Sequence, residues 1–124
     1  MAITKASVNI LTSGTCAASS TKASPGQTGL WIACTGYYGG DFGYSISNTG
    51  GAVATAGTIT FQSSPDNGTT VFDYYTVSGT LNSGDVATGT LWLDQGVMYV
   101  RAIAYGNTTN AVTCAANLQA ITAV

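Results

Sequence analysis

The clearest alternation of apolar and polar positions runs from Gly89 to Thr122, where GTLWLDQGVMYVRAIAYGNTTNAVTCAANLQAIT predicts three consecutive antiparallel strands joined by two loops. The middle strand is Val97 to Tyr105. Asp94-Gln95-Gly96 before it has the form of a three-residue hairpin loop with glycine where a positive φ is needed, and the segment from Gly106 to Asn110 is a longer polar loop. Pairing Tyr105 with Ala111 sets Ala104, Ala102, Val100 and Met98 opposite Val112, Cys114, Ala116 and Leu118, because antiparallel partners share a face and side chains alternate with period two. Every member of that face is apolar. A slip of one residue would carry Thr113 and Asn117 into it, so this register is tightly specified and the face is expected to be core.

The opposite face of the same strand carries Val97, Tyr99, Arg101, Ile103 and Tyr105. A strand that is largely apolar on both sides needs cover on both sides. The rest of the chain or a partner molecule could supply it. These five residues, with Ile121 and Val124 of the apolar C-terminal run, are therefore the candidate interface.

The remaining chain reads as further short strands. Ala6 to Leu11 is a candidate strand, and Thr12 to Thr28 is a small-residue segment ending in Ser-Pro-Gly, expected to be an extended arm or a crossing between sheets. Leu30 to Tyr37 is a continuous apolar strand and Phe42 to Asn48 an alternating, half-buried one. The tiny side chains of Thr49 to Gly57 predict a loop. Strands at Thr58 to Ser63 and Val71 to Ser78 flank the loop Ser64 to Thr70, and Thr80 to Thr88 is a turn-rich link. About seven to eight strands, with turn signals every 8 to 12 residues, predict an all-β chain folded as one antiparallel β-sandwich, jelly-roll or Ig-like, with almost no helix.

Composition sharpens this picture. A chain of 124 residues is expected to form one domain. Only 6% of residues are charged, against about 25% in an average domain. The cations Lys5, Lys22 and Arg101 are scattered, so no basic patch for nucleic acid is expected. No apolar run is long enough to span a bilayer. The N-terminus lacks a basic region followed by an apolar one, which predicts a protein assembled in the cytoplasm and not secreted by a signal peptide. Three cysteines, Cys16, Cys34 and Cys114, fit a reducing compartment. Cys34 and Cys114 read as small buried hydrophobes, and Cys16 as a loop residue open to solvent.

Candidate chemistry is sparse. The chain has neither histidine nor glutamate, so general acid-base and nucleophilic catalysis lack their usual bases, and no catalytic residue, cofactor or metal is expected. Asp73 alone among the aspartates sits inside a strand, where it could pair with Arg101 across a sheet or an interface. Tyr37-Tyr38, Tyr74-Tyr75, Trp31 and Trp92 are the aromatics that could stack on sugar rings, and alternation turns one of each tyrosine pair inward.

The loop Ser64-Pro65-Asp66-Asn67-Gly68-Thr69-Thr70 resembles the Asp-boxes of sialidase-like propellers and other carbohydrate-active proteins, with Val71 where the motif usually has tryptophan. The resemblance implies a structural corner: Asp66 caps backbone amides and Gly68 takes the left-handed conformation. It implies no sugar-cleaving activity. Gly96 is assigned a similar turn role.

As a whole, the almost uncharged, Gly/Thr/Ala-rich chain closing on Tyr99-Val100-Arg101-Ala102-Ile103-Ala104-Tyr105-Gly106-Asn107 is similar to the small β-sandwich virion proteins of tailed bacteriophages. Capsid decoration (cement) proteins and tail or fibre accessory domains belong to that group. The resemblance implies a structural virion protein that bridges capsid shell subunits. Its partners would be the major capsid protein or other virion proteins and further copies of itself, a homotrimer being favoured. The alternative is a glycan- or receptor-binding module, an adhesin of a tail or fibre. A glycan site needs two or more exposed aromatics beside polar groups, whereas a cement protein needs an apolar contact surface.

Overall fold

The computed structural model describes residues 3–16, 21–23, 31–48, 57–79, 86–105 and 112–123. Nine strands lie within them: β1 (Thr4–Cys16), β2 (Thr21–Ala23), β3 (Ile32–Ala33), β4 (Gly40–Ser47), β5 (Thr58–Ser64), β6 (Phe72–Ser78), β7 (Val86–Leu93), β8 (Tyr99–Tyr105) and β9 (Val112–Ala123). They form two antiparallel sheets, one in the order β1-β9-β4-β7 and one in the order β2-β8-β5-β6, with β3 also on β8. Both β2 and β3 pair with β8, at Thr21 to Ala23 against Tyr105 to Ile103 and at Ile32 and Ala33 against Val100 and Tyr99. Taken as one interrupted strand, they leave eight strands in jelly-roll order. The all-β sandwich expected from the sequence is therefore present, and no helix occurs among the described residues.

The expected strand pairing is not. β8 belongs to the second sheet while β7 and β9 belong to the first, where β9 pairs with β1 and β4. Val100, Ala102, Ala104, Val112, Cys114, Ala116 and Leu118 are nevertheless all buried. They line the inward faces of two facing sheets, so residues expected side by side meet across the core. Two strands with matched alternation bury the same residues whether they pair edge to edge or pack face to face. The six positions between Tyr105 and Val112 are ample to span the ~10 Å between stacked sheets. Met98, expected in that face, lies beyond the end of β8 and is exposed.

The hairpin expected at Asp94-Gln95-Gly96 is corrected in the same way, although Gly96 does lie in a turn. Asp94 to Met98 connects two sheets instead of closing a hairpin, and Gly96 has no positive φ. Its N–H donates to Asp94 Oδ1 at 3.1 Å, and the Val97 N–H donates to the Asp94 carbonyl at 3.2 Å. Among the described strands, only β5 and β6 are sequence neighbours that pair.

Phe42 from the first sheet and Phe61 from the second stack with centroids 4.7 Å apart, and Tyr74 meets Phe42 edge-on at 6.5 Å. A register shift between Phe61 and Gln62 interrupts the β5–β6 ladder, and both Tyr74 and Tyr75 pack against the core. Strict alternation would have turned one of them outward. A second irregularity, between Asn9 and Leu11, buries Ile10 and Leu11 together. β1 continues to Cys16, so residues 12–16, expected to begin an arm, extend this edge strand, and β2 falls inside the same segment. The apolar strand expected from Leu30 to Tyr37 is only β3, followed by a turn at Thr35 and Gly36.

All three cysteines are buried thiols. Cys16 corrects the expectation of an exposed loop residue: its Sγ points inward, 3.6 Å from the Ala104 carbonyl. Burial pushes the Cys34 thiol up to about 11.

Candidate functional site

With Val100, Ala102 and Ala104 turned inward, Tyr99, Arg101, Ile103 and Tyr105 face outward from the second sheet, each half-buried. Arg101 Nε donates to Gln62 Oε1 at 2.8 Å, and Gln62 Nε2 donates to Asp73 Oδ1 at 2.9 Å. These three residues are register partners across β8, β5 and β6, so one row on the outer face joins the cation to the carboxylate through an amide. On the other side, the Arg101 guanidinium lies over the Trp31 ring, 4.5 Å from its centroid. A cation over an indole at a partly exposed site contributes ~0.5–1 kcal/mol. Part of the cover that the outer face of β8 requires therefore comes from this chain. Asp73 and Arg101, singled out from sequence, share this row. Gln62 and Trp31, which complete it, were not legible, because their proximity depends on long-range pairing.

The Ser64–Thr70 corner joins β5 to β6. Asp66 Oδ1 accepts from the Thr70 N–H at 2.6 Å and Oδ2 from the Thr70 hydroxyl at 2.8 Å. Buried Ser64 donates to Asp66 Oδ1 at 3.0 Å and accepts from the Gly68 N–H at 2.8 Å. Asn67 and Gly68 have φ of 57° and 99°. A Cβ at Gly68 would run into the Trp31 indole, so the aromatic against this corner comes from a distant segment. The bonds from the Thr70 backbone, the Thr70 hydroxyl and Ser64 hold the Asp66 carboxyl below its ordinary value of 3.8. Because the folded value is depressed, the stabilisation is fully present above that ordinary value and is lost as pH falls through the folded one. Thermal melts of wild type and Asp66→Asn should differ at neutral pH and converge in acid. A gap independent of pH would show that the carboxylate does not organise the corner.

Where this corner meets the Asp94–Met98 connection, the surface is apolar. Phe72 is 57% and Met98 44% exposed, and both line a depression of about 210 Å³ with Pro65, Gly96 and Val97. Val71 is exposed beside Phe72. Of the predicted interface, Val97 reaches this depression while also packing against the core. Ile121 sits elsewhere, on the first sheet beside Lys5. Val124 lies outside the described residues. Phe72 and Met98 were missed because alternation assigned Met98 to the core and singled out neither as surface. Among the described residues, no group of three or more His, Cys, Asp or Glu is placed to hold a metal ion.

No family model matches the chain, and neither does any curated protein. Solved structures do share its fold. The PBSX exported protein XepA superposes with a TM-score of 0.65 at 11% identity, over 96% of this chain and 38% of XepA, so the chain spans well under half of that protein. A subunit of the Bacillus endospore appendages, described as disulfide-linked pili, matches with a TM-score of 0.50 at 15% identity, over 98% of this chain and 89% of its own. The SPBc2 prophage-derived protein YomS gives 0.48 at 15% identity, over 96% of each chain. At these identities the likeness is one of fold.

Proposed function

We propose that this chain is a structural protein of a phage particle, a capsid decoration protein that bridges shell subunits and performs no chemistry of its own. The observation that carries this reading is the exposed apolar patch of Val71, Phe72 and Met98, where the Ser64–Thr70 corner meets the Asp94–Met98 connection. Exposed aromatic and thioether side chains gathered around a depression gain most from burial against a neighbour. The same jelly-roll in the phage-derived XepA and in an appendage-forming protein supports an assembly role. The partners are the major capsid protein and further copies of this chain, in a trimer. Several such contacts on one particle act at high effective concentration, so each can be modest.

With so few charges, attachment should weaken little between low and moderate salt. The test is to strip the protein from particles, re-add it, and follow occupancy and the shell rupture temperature. Burying the exposed parts of Phe72 and Met98 is worth ~2–3 kcal/mol, so a Phe72→Asp, Met98→Asp variant should need roughly thirty-fold or more higher concentration to reach the same occupancy. A rupture temperature that is the same with and without the protein would sink the decoration reading.

A further inference from the structure

The outer face of the first sheet carries a row of side chains that neither the core nor the end patch uses. Cross-strand pairing sets Trp92 of β7 beside Asp41 of β4, Asp41 beside Gln119 of β9, and Gln119 beside Ser7 of β1. Four adjacent strands thus present an indole, a carboxylate, an amide and a hydroxyl in one line. Trp92, Asp41, Gln119 and Lys5 line a depression of about 180 Å³ with Gly40 and Ile121. Trp92 is 55% exposed, although it stands on a regular strand. A Cβ on Gly39 would lie 3.5 Å from Trp92 Cζ2, so the edge of the indole rests on that backbone while most of the ring stays open. Tyr38, 49% exposed, precedes Gly39, and its N–H donates at 2.8 Å to the carbonyl of Ile121, which lines the same depression.

The depression does not end there. A second, of about 340 Å³, shares Lys5 and Gln119 and continues past Ser7 to Asn117. A third, of about 370 Å³, shares Asn117 and reaches Ser45 and Ser13 over the small side chains of Gly43 and Ala115. Along β9 the run from Gln119 to Ala115 is about 13 Å at ~3.3 Å per residue. That length suits a short chain of linked units more than one small molecule.

The lining selects the ligand class. An aromatic face attracts the apolar C–H face of a pyranose ring, while a carboxylate and amides beside it can accept from and donate to its hydroxyls. One lysine and one aspartate offset each other, so neither a polyanion nor a polycation is favoured. The remaining floor mixes hydrogen-bonding groups, Ser7, Asn117, Ser13 and Ser45, with the small or apolar side chains of Ala6, Ala115 and Leu11, so polar partners for ring hydroxyls recur along its whole length. We propose that this trough binds a neutral oligosaccharide, with one pyranose ring seated on Trp92 and its hydroxyls held by Asp41 and Gln119. This site is separate from the Phe72–Met98 patch and stands or falls independently of the particle role.

Titration of the intact protein with chitohexaose, cellohexaose, maltohexaose and laminarihexaose, followed by calorimetry and tryptophan fluorescence, tests it. Saturable binding to at least one is expected. Trp92→Ala and Asp41→Asn should each weaken it about tenfold or more while leaving the thermal melt close to wild type, since both side chains are exposed. Particle occupancy of the Trp92→Ala variant should match wild type. Binding to none of the four sugars, or unchanged affinity in the Trp92→Ala variant, would overturn the proposal. Loss of particle occupancy in that variant without any sugar binding would also overturn it, because the trough would then be seating a protein.

Discussion

Replacing Val100 by aspartate is expected to leave the protein unfolded at room temperature. Val100 pairs with Ser63 on one side and Ile32 on the other, and its side chain is buried between the sheets. Aspartate is close to valine in volume, so the substitution tests charge more than packing. Arg101, the next residue and the cation of β8 itself, points to the opposite face and is already engaged by Gln62 and Trp31. An unpaired carboxylate there would cost several kcal/mol, or would take up a proton at similar cost, against a total stability of ~5–15 kcal/mol. Ile103→Asp is the matched control, because Ile103 lies on the half-buried outer face of the same strand. Circular dichroism and urea unfolding should show Val100→Asp without a cooperative transition and Ile103→Asp folded with a lowered midpoint. A Val100→Asp protein that unfolds like wild type would mean that the inward set of β8 has been misassigned.

That inward set was legible because period-two alternation is a property of each strand alone. Which strands pair is not such a property, and β8 and β9 show why. Their alternation fits lateral pairing and face-to-face packing equally well, and their connection is long enough for either. Local chemistry was easier to read. The Ser64–Thr70 corner is built from hydrogen bonds between residues at most four apart, so its sequence carries its geometry. β1 shows the opposite case. Its second half, with Gly14 and Thr15, has no apolar alternation, and it is a strand because its backbone pairs with β9. The glycan reading of the aromatics divides along the same line. Trp31 and Tyr74 are taken up by Arg101 and by the core, and Trp92 is left outward because it alternates with the inward Leu91 and Leu93 of β7. Side-chain accessibility follows from topology, which one sequence specifies only through contacts far apart in the chain.

Gly40→Ala is expected to be among the most damaging single-methyl additions to the protein, and Gly43→Ala, three residues along the same strand, among the most benign. Gly40 pairs with Leu93 and with Ala120 at the start of β4, between two neighbouring strands. Its φ of +154° lies where side chains other than glycine's are strained, at a cost of ~1–3 kcal/mol. A Cβ there would also be driven into the backbone carbonyl oxygen of Gln119, with Ala120 Cα only 3.1 Å away. Backbone in a central strand cannot yield as a flexible side chain does, so β4 and β9 would have to separate locally and lose ladder hydrogen bonds. The combined loss should be ~3 kcal/mol or more, a fall in melting temperature of roughly 10 °C or more. Gly43 has nothing within 4 Å of the added Cβ and no positive φ. Alanine there restricts the unfolded chain and should be neutral or stabilising by ~0.4–1 kcal/mol. Thermal melts of the two variants beside wild type decide the matter. If both behave alike, the close approach of β4 to β9 at Gly40, which also sets the floor beneath Asp41 and Gln119, is not as described.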